Sequence, residues 1–449
     1  MALKGLDIFK LTPKTNCKDC GNPTCMAFAM KVAQGAIALD KCPHLSEEAK
    51  SQLNEATAPP MKSIKIGTGG TEHTLGGETV LFRHEKTLVN RNLFAVSVCT
   101  CMDDAAADAA LSAIPSVDYE RIGERMYVEL VHVCCAKAED RDRFLSLIER
   151  ANKLGRCLVI ETGDADVAEA AMALVSAEKP VLLGATPENF EAMNAVAAKA
   201  GVALGVSAPS LDALYDTVQK LEAAGNKNLI LDVGTVSIKD AFAKAIQIRT
   251  AALKGDDRSF GYPSFVNVGR LAPGDAVTQA ALASMFTLKY GSIIALEHMS
   301  YAEALPLYGL RQNIFTDPQK PMKVAPGIYP INGADENSIC VTTVDFALTY
   351  FVVSGEIERS GVPVNLLISD SGGYSVLTAW AAGKLSASSL RKFFDEFEIE
   401  HKIKSRRLVI PGKVAVLKGE IEDKLPGWDV VVGTNEAIQL VKFLKDIKQ

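Results

Sequence analysis

Aromatic residues are scarce in this 449-residue chain, at 6% with only two tryptophans, and histidine occurs six times. No uncharged apolar run approaches the ~18 residues that span a bilayer, so no membrane segment is expected. The opening residues, Met1 to Lys10, lack the apolar core of a signal peptide, and a cytoplasmic location is the expectation. Basic residues form no cluster, and 48 Lys and Arg against 54 Asp and Glu leave a net charge of -6. That balance argues against a nucleic-acid partner, which wants a Lys/Arg face. The chain has ten cysteines and a 48% hydrophobic content, enough for ordinary cores in two to four domains. In a reducing compartment such cysteines read as metal ligands or buried thiols rather than disulfides.

Three textures follow one another. Residues 1–60 are cysteine-rich at the start and close on a polar stretch at Ala58-Pro59-Pro60. Residues 61–91 carry Gly67, Gly69, Gly70, Gly76 and Gly77 between short β-like runs and read as a connecting hairpin region. Over 92–316, apolar runs near 92–99, 126–133, 156–161, 180–184, 202–206, 228–232, 263–268 and 292–296 mostly alternate with amphipathic stretches such as Asp140–Leu154 and Ser210–Ala224. Strands separated by helices pair in parallel through crossovers. Eight such units match a (β/α)₈ TIM barrel better than a doubly wound sheet, because no glycine fingerprint follows the first strand. A linker over 317–326 leads to residues 327–449, with strands expected at Ile339–Thr342, Val364–Ser369, Arg407–Ile410, Val414–Leu417 and Asp429–Val432. That is enough for a small doubly wound α/β domain.

Cys17, Cys20, Cys25 and Cys42 form C-x2-C-x4-C-x16-C, with Gly21 and Pro23 between ligands and Pro43 after the last. Clustered thiolates suit a 4Fe-4S cubane, and glycine lets the backbone wrap close to sulfide. A helical stretch, Met26 to Leu39, returns the chain so that Cys42 can close the site. The alternative is structural zinc, but zinc motifs pair two knuckles, whereas here three cysteines cluster and one stands alone. Of the remaining cysteines, Cys99 and Cys101 end the first barrel strand and Cys134 and Cys135 the second, on the face where barrels place active sites. A second metal site is conceivable there; buried small thiols, as for Cys157 and Cys340, are the commoner explanation.

In the last domain three strand ends carry small or hydroxyl residues just before a helix: Thr342-Thr343, Ser371-Gly372-Gly373-Tyr374-Ser375 and Gly433-Thr434-Asn435. Open α/β sheets bind ligands there, and helix-start N–H groups can meet a ligand's polar edge. Each loop alone reads better as an ordinary turn with an N-cap, and only the three in register on one small domain bring a ligand platform level with that reading. None holds the G-x-G-x-x-G dinucleotide pattern. The Asp-x-His-x-x-Gly motif of many cobalamin domains is also missing, since none of His44, His73, His84, His132, His298 and His401 has Asp two positions earlier.

Taken with the barrel, Cys-Lys-Asp-Cys-Gly-Asn-Pro-Thr-Cys, the lone later Cys-Pro and Ser-Asp-Ser-Gly-Gly-Tyr resemble the large (gamma) subunit of the corrinoid iron–sulfur proteins of the acetyl-CoA synthase/decarbonylase pathway, over essentially the whole chain. The resemblance implies a methyl carrier of the reductive acetyl-CoA (Wood-Ljungdahl) pathway rather than a stand-alone enzyme. Corrinoid cobalt would accept methyl from methyltetrahydrofolate through a methyltransferase and donate it to acetyl-CoA synthase/carbon monoxide dehydrogenase. Cys17, Cys20, Cys25 and Cys42 would hold a 4Fe-4S cluster that returns Co(II) to Co(I). Thr342, Thr343, Ser371, Gly372, Gly373, Tyr374, Ser375, Gly433, Thr434 and Asn435 would cradle the corrin, with Thr349 and Thr378 from the helices that follow. The corrinoid would be base-off with no histidine ligand, which eases reduction because fewer axial bonds are shed. A smaller barrel subunit would complete a heterodimer. Two other readings compete. In one, the barrel is itself a methyltransferase binding methyl-pterin near Asp103, Asp104, Asp164, Asp232 and Asn267. In the other, the chain is a simple iron–sulfur electron-transfer protein.

Overall fold

The structure is a computed structural model that describes residues 5–33, 37–46, 48–50, 60–86, 88–234, 237–255, 257–316 and 322–447. Residues 317–321 of the linker, Ala58 and Pro59, and part of the stretch after Cys25 lie outside these. Among the described residues no helix is long and apolar enough to cross a membrane. The chain divides into two compact units: residues 1–117 with 128–311, and residues 118–127 with 312–449.

The first unit opens with helices Gly5–Lys10 and Cys25–Ala33, which close over a small core of Ile8, Phe28, Ala29, Val32 and Leu39. Strands β1 (Ser63–Ile66) and β2 (His73–Gly76) form an antiparallel hairpin. Its turn closes with Gly67 at φ +73, where a Cβ would lie 2.0 Å from the Thr71 carbonyl oxygen, so only glycine fits.

The barrel follows. Strand β3 is Leu93–Cys99. Two short strands, β4 (Tyr119–Arg121) and β5 (Glu124–Met126), then form a hairpin that groups with the second unit. The remaining barrel strands are β6 (Leu130–Cys134), β7 (Cys157–Glu161), β8 (Val181–Ala185), β9 (Ala203–Ser207), β10 (Leu229–Asp232), β11 (Ser264–Asn267) and β12 (Ile293–Leu296). With β3 these pair in parallel, in chain order, into a closed eight-stranded barrel. The strands are buried nearly throughout, as expected where helices cover one face and side chains fill the other. All eight apolar runs became barrel strands. The second begins four residues later than its run, because Met126 ends the inserted hairpin.

The second unit is a five-stranded sheet of β13 (Gly327–Ile331), β14 (Ile339–Val344), β15 (Val364–Ser369), β16 (Arg407–Ile410) and β17 (Asp429–Val432), in the order β13-β15-β14-β16-β17. Only β13 runs antiparallel. Alternation along each strand feeds two cores: Cys340, Val344, Leu367, Leu408, Ile410 and Val430 face one layer of helices, and Val341, Leu366, Ile368 and Val409 the other. That two-sided burial makes the sheet doubly wound. The edge strand β13 is an addition to the sequence reading.

One expected strand is corrected. Val414–Leu417 lies within a 3₁₀ segment, Gly412–Leu417. Val414 and Leu417 are buried while Val416 is 71% exposed, the three-residue period of a 3₁₀ turn rather than the two-residue period of a strand.

Candidate functional site

Around the clustered cysteines the backbone is unusual. Lys14, Asn16, Lys18 and Gly21 all have positive φ, at +59, +50, +70 and +73. Residues alternating in this way turn successive N–H groups toward one side, the nest that anionic clusters and phosphates occupy. Asn16 Oδ1 accepts from the Cys25 amide at 2.8 Å, fixing Cys25 at the start of its helix. Asn22 is buried, with its amide nitrogen 3.6 Å from Cys20 Sγ and its Oδ1 without a partner. Cys25 and Cys42 are buried, Cys20 half-buried and Cys17 exposed. His44 Nε2 lies 2.6 Å from Asp19 Oδ2, and Cys17 Sγ joins them within 4.8 Å. The Asp19 carboxyl is held below its ordinary range, chiefly by that His44 contact and then by Cys17. The spacing alone gave no sign of this pair.

The second candidate site is a cleft of about 300 Å³ in the second unit. It opens at the carboxyl ends of β14, β16 and β17. The chain runs from β14 to β15 on one side, then returns to place β16 on the other side of β14. Open sheets bind ligands at this reversal of strand order. Of the loop residues singled out from sequence, Thr342, Thr343, Thr349, Ser375, Gly433, Thr434 and Asn435 line the cleft. Thr342 Oγ1 donates to the Leu367 carbonyl at 3.2 Å. Thr343 Oγ1 is buried without a hydrogen-bond partner. A Cβ on Gly433 would lie 2.8 Å from Val409 Cγ1, so this close approach of β17 to β16 requires glycine.

Ser371, Gly372, Gly373, Tyr374 and Thr378 are not among the lining residues. Ser371 is buried and donates to Asp345 from both its amide, at 2.9 Å, and its hydroxyl. Gly373 N donates to the same carboxylate at 3.0 Å. Gly372 and Gly373, at φ +74 and +82, make the turn. The exposed Thr378 hydroxyl meets Ser375 Oγ at 3.0 Å. Sequence reasoning missed the apolar wall of Leu348, Val352 and Leu377 and the rim pair Lys413–Glu436, 3.0 Å apart. Leu348 stands 62% exposed, and no feature of the sequence distinguished it from a core-facing leucine.

At the barrel face the residues of the methyltransferase reading are structurally engaged. Asp103, Asp164 and Asn267 cap helices, and Asp104 pairs with Arg143 at 2.9 Å. Asp232 accepts from Gly234 N at 2.8 Å; burial first, and the charge of Glu161 second, push its carboxyl up to about 6.

The fold and its two candidate sites define a class: a barrel protein that carries a cysteine-rich N-terminal segment and a small open α/β domain with a cleft at its strand ends. The family model described as CO dehydrogenase/acetyl-CoA synthase delta subunit matches residues 63–444, and one described as a putative Fe-S cluster matches 13–44. The corrinoid/iron-sulfur protein large subunit of Moorella thermoacetica is 39% identical over 99% of both chains. The acetyl-CoA decarbonylase/synthase complex subunit gamma of Methanopyrus kandleri is 35% identical over 99% of this chain and 97% of that one. The chain belongs to this family of corrinoid/iron–sulfur large subunits and decarbonylase/synthase gamma subunits. The family model carries the delta name, but the relatives that match from end to end, cysteine segment included, are large and gamma subunits. Among solved structures, dihydropteroate synthase from Thermus thermophilus aligns with 49% of this chain and 94% of that one at 18% identity and a TM-score of 0.39, too slight to argue from.

Proposed function

We propose that this chain is a cytoplasmic methyl-group carrier of the reductive acetyl-CoA pathway, with a corrinoid seated on the cleft of residues 327–449 and a 4Fe-4S cluster on Cys17, Cys20, Cys25 and Cys42. The observation that carries the reading is the cleft at the strand-order reversal, with the Thr343 hydroxyl buried and unpaired among its lining residues. A buried hydroxyl without a partner costs about 1–3 kcal/mol, a cost a bound polar edge relieves. The apolar wall and the glycine at 433 suit a broad ligand lying against backbone. For the cluster, the positive-φ nest and the thiolate donor set fit an iron–sulfur centre.

When bound, the corrinoid supplies cobalt that accepts and donates the methyl group, and the cluster supplies single electrons that keep it in its nucleophilic state. The protein's part is to hold and orient. Thr342, Thr343, Ser375, Thr434 and Asn435 would meet the polar edge. Leu348, Val352 and Leu377 would exclude water from one flank. Ser371 to Tyr374 would act by shaping the turn that presents Ser375. Among the described residues no histidine lines the cleft, in keeping with a corrinoid held without a protein imidazole. The partners that follow are a small barrel subunit, a methyltetrahydrofolate:corrinoid methyltransferase and acetyl-CoA synthase/carbon monoxide dehydrogenase. The capped state of Asp103, Asp164 and Asn267 weighs against a barrel that transfers methyl itself.

The test is anaerobic purification with iron, sulfide, zinc and cobalt measured together with the visible spectrum. Roughly four irons and one cobalt per chain, with corrinoid bands, is the expected result. Iron without cobalt, even after reconstitution with a corrinoid and a partner subunit, leaves an electron-transfer protein.

A further inference from the structure

We infer that Cys99 and Cys134 form a thiol–disulfide site at the C-terminal rim of the barrel, open to oxidation by a low-molecular-weight disulfide. Cys99 ends β3 and Cys134 ends β6, and the two are register partners on neighbouring parallel strands. Register partners project their side chains to the same face, and adjacent strands lie about 4.8 Å apart. That spacing falls inside the roughly 4.4–6.8 Å that a disulfide spans between α-carbons. The two side chains lie close enough for each thiol to perturb the other, the Cys99 proton pointing to the Cys134 sulfur. That proton is held far more tightly than usual, first by this contact and then by burial. The Cys134 thiol is drawn below its ordinary range, mainly by the Cys99 contact, with the Arg270 guanidinium adding to it.

The surroundings are fixed. Arg270 makes two bonds to Glu161, at 2.6 and 2.7 Å. Glu161 also meets His132 Nε2 at 2.7 Å, and His132 Nδ1 meets Ser97 Oγ at 2.9 Å. This chain of contacts holds Arg270 beside the Cys134 sulfur, where its guanidinium offsets the opposing charge of Glu161. The Cys101 amide donates to Cys99 Sγ at 3.3 Å, whereas Cys135 turns away to the Lys137 carbonyl at 3.0 Å. Cys99 is half-buried at the rim and Cys134 is buried beside it at 7% exposure, so the pair calls for an oxidant no larger than a small disulfide. Cys157 and Cys340 are buried singly in cores and carry no such arrangement.

The reaction balances within the pair and its oxidant. The Cys134 thiolate attacks one sulfur of the small disulfide, forming a mixed disulfide and releasing one thiol. The Cys99 sulfur, losing its proton, attacks Cys134 Sγ and releases the second. The protein gives up two electrons and two protons, and the small disulfide becomes two thiols.

The holoprotein, kept free of oxygen, is incubated with 2-hydroxyethyl disulfide, alkylated and mapped by peptide mass spectrometry. A Cys99–Cys134 cross-linked peptide pair is the expected product. Cys99→Ala should trap Cys134 as the mixed disulfide, and Cys134→Ala should slow modification of Cys99 at least roughly tenfold. Recovery of Cys99 and Cys134 both alkylated while the exposed Cys101 is modified, or a Cys99–Cys101 bond in their place, overturns the proposal. The wild-type map alone decides this, whatever the variants do to folding.

Discussion

Asp345 is fully buried at the end of β14, and its carboxylate accepts from Ser371 N, from the Ser371 hydroxyl and from Gly373 N. Replacing it with alanine removes the acceptor and leaves the donors in place. The hydroxyl has a second acceptor, the Tyr374 carbonyl at 3.0 Å, so it is not orphaned. The two amides are. Each buried orphan costs about 1–3 kcal/mol, so the closed turn should lose roughly 3 kcal/mol. Lys323 Nζ, 3.9 Å from the carboxylate and half exposed, adds little to this. Hydrogen exchange reads local opening directly, and at about 1.4 kcal/mol per tenfold the amides of Ser371 and Gly373 should exchange about a hundredfold faster. Barrel amides should be unchanged. Corrinoid affinity should fall with the turn, because the turn sets Ser375 on the cleft. Asp345→Asn keeps one acceptor oxygen and should fall between. Exchange at the two amides within about threefold of wild type would refute the view that this carboxylate holds the turn.

Alanine at Cys17, Cys20, Cys25 or Cys42 is expected to abolish reductive reactivation while sparing methyl transfer from pre-reduced cobalt; reactivation retained in an iron-depleted variant sinks the role given to the cluster. Thr343→Val removes the unpaired hydroxyl at nearly constant shape. Without corrinoid the variant should be about 1 kcal/mol more stable to urea, and with it bind about tenfold more weakly. A parallel change in both would count against a ligand contact at Thr343. Asp232, raised from 3.8 to about 6, binds its proton more tightly folded than unfolded. Its stabilising effect is therefore full below pH 3.8 and lost as pH rises through 6. Asp232→Asn should match wild type near pH 3 and exceed its stability by up to about 3 kcal/mol at pH 8, read from urea melts at the two pH values.

Much of the architecture was legible because its signals are local. A strand buried on both faces announces itself as an apolar run, so the eight barrel strands and β15, β16 and β17 could be read from residues alone. Val414–Leu417 misled because four apolar residues in a row satisfy a strand and a 3₁₀ turn equally. The segment's entry is set by tertiary packing, with no room for a side chain at Gly412, where a Cβ would sit 2.7 Å from both Asn435 Oδ1 and the Gly433 carbonyl oxygen. The inserted hairpin β4–β5 was invisible for a related reason: its pairing is short and half-exposed, and its membership of the second unit depends on contacts such as Arg121 over the Phe351 ring, at 4.6 Å.

The cleft divides along the same line. Hydroxyl and glycine residues at strand ends could be found by composition, and seven of the twelve singled out line it. Which strand ends meet depends on strand order, and that is a non-local property. The sequence places β14 and β15 first, yet the cleft forms between β14 and β16, where the order reverses. The Ser371–Tyr374 turn, attractive for its glycines, sits at the end of β15 and spends its donors on Asp345. Its glycines are explained by the left-handed turn they make, at φ +74 and +82. The glycine that lines the cleft is Gly433, whose φ is ordinary and whose requirement is room between two strands.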